Sequence, residues 1–142
     1  MTLRLFLALI FVLIAGPAFA GSVSDTDGDL VPDAYDNCTD VANGPNETSN
    51  QIDTNLDGYG NACDGDFNND GGTTTADFTG APTDITFLNS FTGVNVSLDT
   101  DMDGNGATTT ADFLLWLAFF SNGNAPAGPS GLACAGTIPC IP

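Results

Sequence analysis

One twelve-residue frame recurs four times in this chain, with an acidic or amide side chain at positions 1, 3 and 5 and Asp at position 12. The frames are Asp25–Asp36, Asp53–Asp64, Asp66–Asp77 and Asp101–Asp112. Of the 18 acidic residues, 14 stand at positions 1, 3, 5, 9 or 12 of these frames. A chain that was merely rich in acid would not hold them in register. In such a loop alternate side chains turn inward onto one hard cation. The cation that takes six to eight oxygens at about 2.3–2.6 Å is Ca²⁺; Mg²⁺ demands a rigid octahedron and dehydrates reluctantly.

The expected ligand sets follow residue by residue. Loop 1 offers Asp25, Asp27, Asp29, the Val31 carbonyl, Asp33 and Asp36. Loop 2 offers Asp53, Asn55, Asp57, the Tyr59 carbonyl, Asn61 and Asp64. Loop 3 offers Asp66, Asn68, Asp70, the Gly72 carbonyl, Thr74 and Asp77. Loop 4 offers Asp101, Asp103, Asn105, the Ala107 carbonyl, Thr109 and Asp112. Position 6 needs Gly for a sharp turn; Gly58, Gly71 and Gly106 supply it, and Leu30 breaks the rule in loop 1, where Gly28 at position 4 could relieve the turn. The expected cofactor is Ca²⁺, in about four or more ions.

Charge narrows the partners. Arg4 is the only cation in the sequence, and it lies in a segment that reads as a secretory signal. That signal spans residues 1–20: a positive start, an apolar run from Leu5 to Ile14, and a small-x-small cleavage site at Ala18-Phe19-Ala20. The run is too short for a bilayer span, which takes about 20 residues. The secreted chain then has no cation and a formal charge of −18. Nothing in it can neutralise a phosphate, which argues against nucleic acid and anionic membrane. The chain repels itself unless metal is bound. Four Cys in a secreted chain read as two disulfides with three connectivities. Cys38–Cys63 and Cys134–Cys140 are favoured, with intermolecular pairing as the alternative for the last two.

Four segments follow from this: the signal 1–20, a calcium-binding segment 21–64, a loop-helix pair 65–120, and a Gly/Pro-rich tail 121–142 tied down only by its Cys pair. Residues 21–64 lack apolar periodicity, and Thr39–Gln51 reads as a linker between loops 1 and 2. Residues 65–120 repeat internally: Asp66–Phe78 aligns with Asp101–Phe113, and Thr-Thr-Thr-Ala-Asp-Phe is identical in both. After Phe113 an apolar run to Phe120 predicts a helix, buried or in an oligomer contact, ended by Ser121-Asn122-Gly123. In the first copy Thr79–Asp84 is inserted and Pro82 blocks a continuous helix, so a short one over Asp84–Phe91 is expected, capped by Thr83. The two apolar segments are expected to pack together, with Phe113, Leu114, Trp116, Leu117 and Phe120 against Phe78, Ile85, Leu88 and Phe91.

Residues 25–64 resemble thrombospondin type 3 repeats. The strings that carry the likeness are Asp25-Thr-Asp-Gly-Asp through Asp33, Asp36-Asn37-Cys38, and Gln51-Ile-Asp53-Thr-Asn-Leu-Asp57-Gly-Tyr-Gly-Asn-Ala-Cys63-Asp64. The resemblance implies a calcium-wrapped, disulfide-stapled segment of little regular structure, in which neighbouring loops can share ions. Leu30 and Asn61 stand where that family usually has Gly and Asp. Residues 66–120 resemble a dockerin: two EF-hand-like loops, each followed by one helix. That likeness implies that positions 10 and 11 touch a cohesin partner, here Thr75-Ala76 and Thr110-Ala111. Thr73 and Thr108 replace the usual aliphatic residue at position 8.

The expected fold is therefore small, loop-rich and calcium-stapled: an irregular N-terminal half plus an all-α pair of loop-helix units. The expected function is a secreted, non-enzymatic, calcium-binding structural or adhesion protein. The alternative is a docking module for a cohesin-type or other extracellular partner; self-association is the other partner expectation. With no His or Lys and nearly every carboxylate committed to metal, only Asp40, Glu47, Asp84 and Asp99 remain for other chemistry. Asn37, Asn46 and Asn95 head Asn-x-Ser/Thr strings that read as chance.

Overall fold

The structure is a computed structural model describing residues 23–123 and 125–141. The signal segment lies outside the described residues. Among those residues there is no strand. Three α-helices, α1 (Thr75–Phe78), α2 (Phe87–Thr92) and α3 (Thr110–Ser121), join three 3₁₀ turns at Asp33–Tyr35, Asn61–Cys63 and Leu98–Thr100. Among the described residues no helix is long and apolar enough to cross a membrane.

The N-terminal half has almost no apolar side chains to bury, and a polar network takes the place of a core. Asn43 is fully buried. Its backbone N–H donates to Asp29 Oδ2 at 2.9 Å, and its Nδ2 donates to Asn37 Oδ1 at 2.7 Å. Gln51 Nε2 donates to Asn43 Oδ1 at 2.7 Å and to Asp36 Oδ1 at 2.8 Å, and Gln51 Oε1 accepts from Asn37 N at 3.0 Å. Buried amides are stable only when so satisfied. The segment Thr39–Gln51 is thus more than a linker: Gln51, its last residue, binds Asp36 at the end of loop 1 and stands just ahead of loop 2. Cys38 and Cys63 are bonded, with Cα atoms 5.6 Å apart, and both are fully buried beside Ala62, Val41 and Phe119. The side chain of Asn37 is consumed in the network, so its glycosylation is incompatible with this fold.

The apolar core sits in the second half. Phe67, Phe87, Met102 and Trp116 are its buried members, with Phe78, Phe113, Phe119 and Phe120 packed against them. Trp116 Nε1 donates to the Gly65 carbonyl at 3.1 Å, which anchors α3 at the junction of loops 2 and 3. The core differs in part from the expected packing. Leu114 is 67% exposed, and Ile85, Leu88, Phe91 and Leu117 stay at the surface. Phe67 and Met102, at position 2 of loops 3 and 4, take the interior places instead. α3 is apolar all round but only half buried. α2 begins later than expected and is capped by Thr86, whose hydroxyl accepts from Asn89 N at 3.3 Å. Asp84 is spent on the preceding turn, where it accepts from Ala81 N at 2.8 Å.

The tail departs most from expectation. Cys134 and Cys140 are bonded, but backbone hydrogen bonds also lace the segment onto the first three loops. Gly128 N donates to Cys63 O, Gly131 N to Asp36 O at 2.8 Å, Gly136 N to Asp57 O at 2.7 Å and Cys140 N to Leu56 O at 2.7 Å. Thr39 N and Thr73 N donate to Pro129 O and Ala125 O. The glycines permit this close approach: a Cβ on Gly131 would collide with the Asp33 carbonyl. Gly131→Ala should therefore cost about 1–3 kcal/mol, seen as a lower urea midpoint in calcium; an unchanged midpoint would show that the strap is not needed.

Candidate metal centres

All four frames form loops of one backbone plan. Each is left-handed at positions 4 and 6: Gly28 and Leu30, Leu56 and Gly58, Asn69 and Gly71, Gly104 and Gly106. This curls the loop so that its own N–H groups point at the position-1 carboxylate. Leu30, Gly58, Gly71 and Gly106 N donate to Oδ2 of Asp25, Asp53, Asp66 and Asp101 at 3.1, 2.8, 2.7 and 2.8 Å. Residues at position 5 donate back to position 3, as Asp57 N does to Asn55 Oδ1 at 3.1 Å. Leu30 keeps the turn despite its side chain, at φ 81°.

Two closures distinguish the loops. In loops 1 and 2 position 9 closes on position 2: Thr26 N donates to Asp33 Oδ1 at 2.7 Å, and Thr54 N to Asn61 Oδ1 at 3.0 Å. In loops 3 and 4 position 12 closes on position 3: Asn68 N donates to Asp77 Oδ1 at 3.2 Å, and Asp103 N to Asp112 Oδ1 at 3.0 Å. The other oxygen of Asp77 and Asp112 accepts from Thr74 N and Thr109 N, both at 2.7 Å, and completes a capping box that starts α1 and α3. Position 9 therefore has structural work in every loop.

The expected ligands draw together to different degrees. One carboxylate oxygen each from Asp25, Asp27 and Asp29 lies within 4.8 Å of the others, and the same holds for Asp101, Asp103 and Asp112. Loops 2 and 3 carry Asn55 and Asn68 at position 3, and their acids do not converge as closely. Asp70 is exposed on loop 3. Within the described residues none of the position-7 carbonyls, of Val31, Tyr59, Gly72 and Ala107, accepts a backbone hydrogen bond. Buried oxygens without a partner include Asp27 Oδ2, Asp36 Oδ2 and Asp99 Oδ1. An all-oxygen donor set with orphaned, buried carboxylate atoms fits a hard divalent cation.

Electrostatics point the same way. Burial raises the pKa of Asp27, Asp57, Asp64, Asp77, Asp99 and Asp101, and neighbouring carboxylates add to it, as Asp57 does for Asp64 and Asp112 for Asp101. Asp33 moves down, through hydrogen bonds from Ser24 and Thr26, and is only partly buried. The sequence reading did not find Asn43, nor the role of Gln51, and left Asp99 outside every loop. One signal was available: Asp99 continues the alternation of Asp101 and Asp103 one step upstream.

The family model described as thrombospondin type 3 repeat matches residues 24–45 and 52–78. The second match runs through loop 3, across the boundary drawn at residue 64. No dockerin or EF-hand segment is found. No backbone bond joins loop 3 to loop 4 at position 8, where Thr73 N donates to Ala125 O. No curated protein matches the chain. No solved structure matches it.

Two outcomes follow. Leu30→Gly should raise stability by about 1 kcal/mol by relieving a left-handed, exposed leucine, read as a higher melting temperature; a fall would show that the leucine side chain itself contributes. The raised carboxylates bind protons more tightly folded than unfolded. In chelator their contribution is fully present below the ordinary aspartate range and is lost as pH rises through the folded values. The urea midpoint of chelated protein should fall between about pH 4 and pH 7, whereas in calcium it should rise as protons stop competing for the ligands. A chelated protein more stable at the upper end would contradict the assignment.

Proposed function

We propose that the protein is a secreted, non-enzymatic structural or adhesion module that folds around calcium, with the four loops as its ion sites. The observation that carries this reading is the common loop plan: four position-1 carboxylates each held by the loop's own N–H groups, with buried carboxylate oxygens left over. Thrombospondin type 3 repeats match the first three loops, and the two disulfides suit an oxidising, extracellular setting. Asp25, Asp27 and Asp29 would hold one ion, Asp101, Asp103 and Asp112 another, with loops 2 and 3 completing the set through Asn55, Asp57, Asn68 and Asp70. Bound calcium supplies positive charge where the chain has none. Docking on a cohesin-type partner finds no support in the family match. The surface offers an extracellular partner or a second copy an apolar face at Phe78, Phe91, Phe113 and Leu117.

Extracellular calcium sites have Kd values of about 10⁻⁴–10⁻³ M. At tenfold excess each independent site adds about 1.4 kcal/mol. Four such sites add about 5–6 kcal/mol, comparable with the whole stability of a small domain. At neutral pH, where the crowded carboxylates are ionised, removing calcium should therefore convert residues 25–120 to a coil-like, protease-sensitive chain. Circular dichroism and proteolysis with and without chelator check this; identical spectra and cleavage patterns would reject the reading.

A further inference from the structure

Asp99 belongs to none of the four frames, yet it is 7% exposed. Its Oδ2 accepts from Ser97 Oγ at 2.8 Å, while its Oδ1 is buried with no partner. The 3₁₀ turn that carries it is pressed against loop 2. Asn61 Nδ2 donates to the Leu98 carbonyl at 2.6 Å and to Thr54 Oγ1 at 2.9 Å. Asn61, expected as a loop 2 ligand, also acts as the clamp that brings the turn in. The clamp thus places Asp99, the residue after Leu98, against loop 2, whose acids are Asp53, Asp57 and Asp64; burial, and then the charge of Asp53, disfavour its ionised form. On its other side the turn is tied to loop 4 by the Thr100 and Thr108 hydroxyls, 2.6 Å apart, and leads directly into Asp101.

We propose that Asp99 is a calcium ligand of loop 2, donated from 35 residues beyond that loop's last acid, so that one ion pins the Leu98–Thr100 turn and loop 4 to the N-terminal half. The inference rests on the calcium reading above and adds a residue to it. A buried carboxylate oxygen without a hydrogen bond is costly. Among three neighbouring carboxylates the cost is larger, and a cation supplies both the missing partner and the missing charge. Asn61, an amide at the position where loop 1 carries Asp33, leaves loop 2 one acid short, and Asp99 restores that acid from a different part of the chain.

The test compares the full secreted chain with Asp99→Asn and with Asp40→Asn, which removes the same charge from an exposed position outside every loop. Calcium titration by calorimetry should show that Asp99→Asn weakens one site at least about tenfold, since affinity follows ligand charge count, while Asp40→Asn leaves all sites unchanged. If Asp99→Asn keeps every site at unchanged affinity, the proposal is overturned and the calcium reading stands; if the unaltered protein binds no calcium, both fall. Should Asp99→Asn fail to fold, anomalous scattering from crystals of the unaltered calcium-loaded protein decides. A calcium at about 2.3–2.6 Å from Asp99 Oδ1 supports the assignment, and a loop 2 calcium coordinated without Asp99 overturns it.

Discussion

Mutual repulsion among inward-facing carboxylates is the constraint on which everything else in this fold depends. After residue 20 the chain contains 18 acids and no Lys, Arg or His, so no side-chain cation there can relieve it. Backbone N–H groups relieve part of it: each position-1 Asp collects two or more of them through the left-handed turns at positions 4 and 6. These dipoles hold the carboxylates in place without cancelling their charge. Under the proposed reading four Ca²⁺ would contribute eight positive charges and bring the net charge to about −10. The loops are therefore pre-shaped by hydrogen bonds and left electrostatically incomplete.

The rest of the molecule is built to keep those loops in place with little apolar material. Asn37, Asn43 and Gln51 form a buried amide network, and two acids of loop 1 are positioned by the segment that follows it, Asp29 by the Asn43 backbone N–H and Asp36 by the Gln51 side chain. The Cys38–Cys63 bridge closes about 25 residues, which removes about 3.5 kcal/mol of chain entropy from the unfolded state. The tail then straps loops 1, 2 and 3 from outside through backbone bonds, and its glycines are what let two main chains lie against each other. α3 links the two regimes, with Trp116 and Phe120 in the aromatic core and Phe119 against the buried disulfide.

What the sequence by itself determined is local. The recurring loop frame, the end of α3, the favoured disulfide pairs and the lack of regular structure before residue 64 were all legible. Each depends on residues a few positions apart or, for the cysteines, on very few combinations. Even the exception at Leu30 was legible as an exception, and the backbone resolves it by holding a leucine in the left-handed turn. The tertiary structure alone decided which side chains are brought together from a distance. Leu114 faces out while Phe67 and Met102 face in, because an all-apolar helix has no periodicity to say which side is buried, and position 2 of a loop looks like any other. The tail became a strap because main-chain bonds carry no side-chain signature. The Leu98–Thr100 turn came against loop 2 through Asn61, and Asp99 was buried there, because a buried carboxylate is chosen by the space around it rather than by its neighbours in sequence.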